Sequence, residues 1–87
     1  MTPISQQMVD EAFASGRCSN VRVIRRADRC WIFTVQCSGP DDKAQVFTLK
    51  TQRGKVREWS DPRTLFAFLD ERYGVRSGDF LLSEDLQ

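Results

Sequence analysis

The sequence predicts an α+β domain: an N-terminal helix, a four-stranded antiparallel β-meander, a C-terminal helix packed on one sheet face, and a short last strand. Three observations predict it. Between Asn20 and Trp59, four stretches rich in β-branched and aromatic residues alternate apolar with polar positions and are separated by short turn signals. From Pro62 to Tyr73 a capped segment carries a wide apolar stripe at helical spacing. And a chain of 87 residues has material for one core only, so residues 1–87 form a single domain in which helix and sheet share that core.

The elements follow in order. Ser5 can cap a helix whose positions Met8, Val9, Ala12 and Phe13 share one face, and Gly16 is placed to stop it. Asn20 to Arg26 alternates, with Val21 and Val23 on one side and Arg22 and Ile24 on the other. Ala27-Asp28-Arg29 turns the chain into Cys30 to Cys37, where Trp31, Phe33 and Val35 share a face. Ser38 to Asp42 is a dense turn signal, after which Ala44 to Thr51 returns with Phe47 and Leu49 facing one way and Val46, Thr48 and Lys50 the other. Gln52 to Lys55 supplies a glycine turn into a fourth strand at Val56 to Trp59. Asp61 then acts as N-cap, Pro62 fits the first helical position and Gly74 suits the left-handed position past the end. The stripe of Leu65, Phe68 and Leu69, flanked by Phe66 and Tyr73, is expected to lie on the face made by Trp31, Phe33, Val35, Phe47 and Leu49. Phe80 to Leu82 reads as a short edge strand, in preference to an apolar clasp against the helix.

Composition excludes more than it names. The chain has no histidine, which removes the commonest general base, metal ligand and partner of a catalytic serine or cysteine. No glycine-rich phosphate loop, GxSxG or HExxH motif is present, and the adjacent acidic pairs, such as Asp10-Glu11 and Asp70-Glu71, diverge in direction and read as solvated. A non-catalytic protein with no cofactor and no metal is expected. Cys18, Cys30 and Cys37 lack CxxC spacing and are expected to be structural thiols, with Cys30 and Cys37 on opposite strand faces. The N-terminus has no basic region followed by an apolar stretch, and no apolar run approaches the roughly 20 residues of a spanning helix, so a cytoplasmic protein is expected.

The net charge of +1 conceals an asymmetry. From Arg22 to Arg57 nine basic residues face three acids, whereas the rest of the chain has four arginines against nine acids. On simple alternation, the sheet face turned away from the core would carry Arg22, Ile24, Arg26, Ile32, Thr34, Gln36, Val46, Thr48, Lys50, Lys55, Arg57 and Trp59. Such a face can be a solvated sheet surface, a protein interface or homodimer contact, or a nucleic-acid surface with cations on phosphates and Trp59 free to stack. The residues expected to bind are Arg22, Arg26, Lys50, Arg53, Lys55, Arg57 and Trp59. If they do, Arg57→Glu with Trp59→Ala should abolish association and leave folding nearly intact.

The segment from Thr51 to Val75, TQRGKVREWSDPRTLFAFLDERYGV, resembles the ParC-family partition-associated proteins, small accessory proteins of bacterial plasmids and integrative elements. Arg53, Gly54, Arg57, Trp59, Leu65 and Leu69 carry the resemblance, while Asp61-Pro62 stands where the family more usually has Leu-Asp. The resemblance implies a mobile-element origin and an accessory role near segregation or host interaction. Together these features lead to a binding module acting on a protein partner or its own copy. A nucleic-acid-binding accessory protein, or an inhibitor of a host defence complex, is the alternative. No membrane or small-molecule partner is inferred.

Overall fold

The structure is a computed structural model that describes residues 1–39 and 43–82. Its elements are β1 (Thr2–Ile4), α1 (Gln6–Ala14), β2 (Cys18–Ala27), β3 (Cys30–Ser38), β4 (Ala44–Leu49), α2 (Pro62–Tyr73) and β5 (Asp79–Leu81). Both helices start and stop where local chemistry dictates. The Ser5 hydroxyl accepts from the Met8 amide at 3.3 Å, and Gly16 follows α1 with a left-handed φ of 74°. The Asp61 carboxylate accepts from the Arg63 amide at 2.9 Å, Pro62 opens α2, and Gly74 closes it at φ 68°. The Arg63 guanidinium also grips Asp61 and holds its carboxyl below the usual range.

The α+β class stands, but the meander does not. The sheet has five strands in the order β1-β4-β3-β2-β5, mixed in direction: β2, β3 and β4 are antiparallel, while β1 runs parallel to β4 and β5 parallel to β2. The last strand lies at Asp79–Leu81, one residue before the predicted span. The expected fourth strand at Val56 to Trp59 is absent as a ladder and survives as two isolated bridges, Lys50 with Val56 and Trp31 with Trp59. Its hydrogen bonds explain this. The Arg57 amide donates to the Leu49 carbonyl of β4, whereas Trp59 exchanges both backbone bonds with Trp31 of β3, each at 2.8 Å. A segment bonded to two diverging strands is a wedge between them and cannot continue a ladder with either. The Pro40–Asp42 part of the predicted turn and the residues after Leu82 lie outside the described residues.

One core holds the fold together. Val9 of α1 and Leu65 and Leu69 of α2 pack with Val21, Val23, Phe33, Val35 and Leu49, so both helices cover the same sheet face. The predicted core face is therefore correct, with Phe33, Val35 and Leu49 buried and Trp31 and Phe47 partly so. Cys37 also points into this core and is disulfide-bonded to Cys18, directly opposite it on β2 with the two Cα atoms 4.1 Å apart. The expectation of three unbridged thiols is thus corrected: a separation of 19 residues is no motif, and only the β2–β3 register brings the pair together. Cys30 takes no part in this disulfide and lies on the opposite face from Cys37, with its Sγ donating to the Glu58 carboxylate.

A polar clamp joins the helices. Asp10 of α1 accepts two bonds from the Arg72 guanidinium, at 3.0 and 2.8 Å, one from the Tyr73 hydroxyl at 2.6 Å and one from the Gln6 amide at 3.0 Å. The Phe13 and Tyr73 rings stack beside it, 4.1 Å between centroids. Arg72 first, then Tyr73, hold the Asp10 carboxyl well below the usual carboxylate range, while burial and Asp10 push the Tyr73 hydroxyl up to about 12. A carboxyl depressed on folding stabilises the fold above its unfolded value of 3.8, and that contribution is lost as the pH falls towards its folded value. The Asp10 side chain is still 39% exposed, so solvent screening limits the expected cost of Asp10→Asn at pH 7 to about 1 kcal/mol. Urea melts should show the gap between wild type and variant shrinking steadily below pH 4. A gap that is constant with pH would remove the carboxylate from the account.

Candidate functional site

The sheet face away from the helices is not the solvated basic surface that alternation predicts. Strand register puts Arg22, Thr34 and Thr48 side by side across β2, β3 and β4, and Ile24 beside Ile32 in the next row. Ile24, Ile32, Thr34 and Thr48 are all buried, Ile32 completely. Thr48 satisfies its hydroxyl by donating to the Phe33 carbonyl at 2.7 Å. Acids also enter this face. Asp79 of β5 sits next to Arg22 and pairs with it at 3.8 Å, and Glu58 lies on the same side as Cys30 and Ile32.

Two expected site residues sit on the other side of the sheet. Trp59 faces Trp31 across their bridge and therefore points to the helix side, where it is only 7% exposed. Its ring packs at 5.9 Å from Phe33 and 5.3 Å from Phe68. Arg57, two residues earlier, shares that side: its guanidinium lies 4.7 Å from the Trp59 ring centroid and 5.5 Å from that of Phe68. The placement of both on the outer face is corrected. Alternation carried across the Gln52–Lys55 turn assumes a continuous ladder, and the wedge breaks it.

The cations gather instead at one end of the sheet. β2 ends and β3 begins at the Asp28–Arg29 turn, and the antiparallel β3–β4 register brings the end of β4 to the same place. The Lys50–Val56 and Trp31–Trp59 bridges fasten the following segment there. That end therefore collects Arg25, Arg26 and Arg29 from the β2–β3 hairpin, and Lys50, Arg53, Lys55 and Arg57 from the β4 exit and the turn after it. All but the half-buried Lys50 are exposed. Among the described residues the acids interleaved with them are Asp28 and Glu58. Of the expected site, Arg26, Lys50, Arg53, Lys55 and Arg57 are thus brought together. Arg22 stands apart in mid-strand, and Trp59 is withdrawn into the core. Arg25 and Arg29 join the cluster although alternation alone had set them aside. Their signal was the hairpin itself, since both ends of a tight turn meet at one sheet end whichever face their side chains take.

The strongly shifted titratable groups, Asp10, Arg72 and Tyr73, belong to the helix clamp. No cluster of three or more metal-ligating side chains occurs among the described residues, and no helix there is long and apolar enough to cross a membrane. What the cluster can do is attract negative charge and offer guanidinium forks to carboxylates or phosphates. No family model, curated protein or solved structure matches the chain.

Proposed function

We propose that the protein is a non-catalytic binding module that holds an acidic protein partner at the basic end of its sheet. The observation that carries this reading is the convergence of cations from two separate chain segments on one exposed end. Such a concentration steers an oppositely charged surface and suppresses wrong partners. It also disfavours a second copy at the same place, because like charges would face each other. The withdrawal of Trp59 and the engagement of Arg57 with two rings take the expected stacking ring away from the basic end, which favours a protein over single-stranded nucleic acid. The resemblance of Thr51 to Val75 to partition-associated proteins supports a mobile-element setting. A host defence component blocked by such a module would be the same physical contact with another owner.

The test is capture by the wild-type chain compared with Arg53→Glu, Lys55→Glu. Both residues are exposed in a turn, so thermal stability should be unchanged. An acidic protein captured by wild type and weakened at least tenfold by the double variant, about 1.4 kcal/mol, is the expected result. Equal capture by both would overturn the reading. The same cations support a second reading, contact with phosphates. About five phosphate contacts on duplex DNA would give a log-log salt slope near −4 to −5, and no binding at low salt would exclude it.

A further inference from the structure

The two edges of the sheet are guarded unequally. At the β1 edge Pro3 lacks a backbone donor and discourages a further strand. At the other edge β5 pairs with β2 on one side and with no strand on its outer side among the described residues. Its middle residue, Phe80, is 70% exposed; Phe66 of α2, on the same side, is 51% exposed, and Leu82 follows at 45%. Beside Phe80, between α2 and the sheet, runs a groove of about 410 Å³ whose floor is Val21, Val23 and Leu69. Gly78 lets the chain descend onto β2 there, since a Cβ would meet the Val21 carbonyl oxygen. The charges around the groove neutralise one another, Asp70 with Arg76 at 2.9 Å and Asp79 with Arg22 at 3.8 Å.

We propose that β5 is a self-association edge, at which a second copy of the chain pairs its own β5 antiparallel about a two-fold axis next to Phe80. Three features select a second copy as the occupant. A projecting ring and an apolar recess lie side by side on one edge, so a two-fold rotation sets each Phe80 against its partner's groove, which is the self-complementarity an isologous contact requires. Paired rim charges remove the like-charge repulsion that the basic end would impose. And a three-residue strand that carries Phe80, with Phe66 and Leu82 exposed beside it, offers a small apolar patch of the kind found in weak, reversible interfaces. The outcome is one sheet continuous through both copies, with the basic ends left free. It stands independently of what those ends bind.

Sedimentation equilibrium of the full chain from about 10 μM to about 1 mM tests it, a range that spans weak dimer affinities. Wild type should move from monomer to dimer mass, insensitive to salt, whereas binding at the basic end weakens with salt. Phe80→Lys, and separately Phe66→Lys, should stay monomeric throughout with an unchanged melting temperature. Met8→Lys, a position on α1 about as exposed as Phe66, should dimerise like wild type. Wild type that remains monomeric at the highest concentration, with or without an extended apolar peptide seated at the groove, overturns the proposal. So does a dimer that persists in both phenylalanine variants or is lost in Met8→Lys.

Discussion

Trp59→Ala should cost about 3–5 kcal/mol of folding stability, the range for truncating a buried large aromatic, in a domain whose total is on the order of 5–15 kcal/mol. The ring is 7% exposed and fills the space between Phe33 on the sheet and Phe68 on α2, so its loss leaves a cavity that two rigid neighbours cannot close. The backbone bonds to Trp31 would remain, but the wedge of residues 56–59 would lose its anchor in the core. Denaturant unfolding should show the midpoint falling sharply, Trp59→Phe recovering much of the loss, and Arg57→Glu alone costing about 1 kcal/mol through the lost cation–π contact. A melting curve for Trp59→Ala that overlays wild type would return the residue to the surface. The double substitution Arg57→Glu with Trp59→Ala is accordingly a test of folding and does not isolate binding.

Removing the Cys18–Cys37 bond should cost about 3 kcal/mol, the loop-closure entropy for a cross-link of this span. In a domain of this size that corresponds to a fall in melting temperature of roughly 15 °C. Wild type should melt lower with reductant than without, and Cys18→Ser with Cys37→Ser should melt at the reduced temperature in both conditions. Cys30→Ser should keep the full response to reductant, because Cys30 is not part of the bond. A wild-type melt indifferent to reductant would contradict the bridge.

The sequence showed local decisions well and distant ones badly. Ser5, Asp61-Pro62 and Gly74 mark helix ends because their side chains or φ preferences act within a few residues. The β2–β3–β4 hairpins were legible for the same reason, each strand being long enough to show alternation. β1, at three residues, is too short to have a period, and its parallel pairing with β4 is decided some 45 residues further along the chain. β5 left a trace only through Phe80 and Leu81. Charge clustering between Arg22 and Arg57 was visible, but assigning faces to Lys55, Arg57 and Trp59 required a register that the wedge does not keep. Whether cations share a face or an end depends on where strands turn back, and the turns proved the better guide.

The strand order also has a consequence for the chain while it is being made. The apolar strip of β2, Val21 and Val23, is covered by Leu65 and Leu69 and flanked by Phe80, all of which are translated some 40 or more residues later. A nascent chain can close the β2–β3 hairpin early, since that needs only a tight turn, yet it then displays an apolar surface that α1 covers only in part until α2 is made. Synthesis from one end to the other therefore prolongs the exposure of its stickiest surface until α2 and β5 have emerged. In a crowded cell this is the interval in which a chaperone would find something to hold.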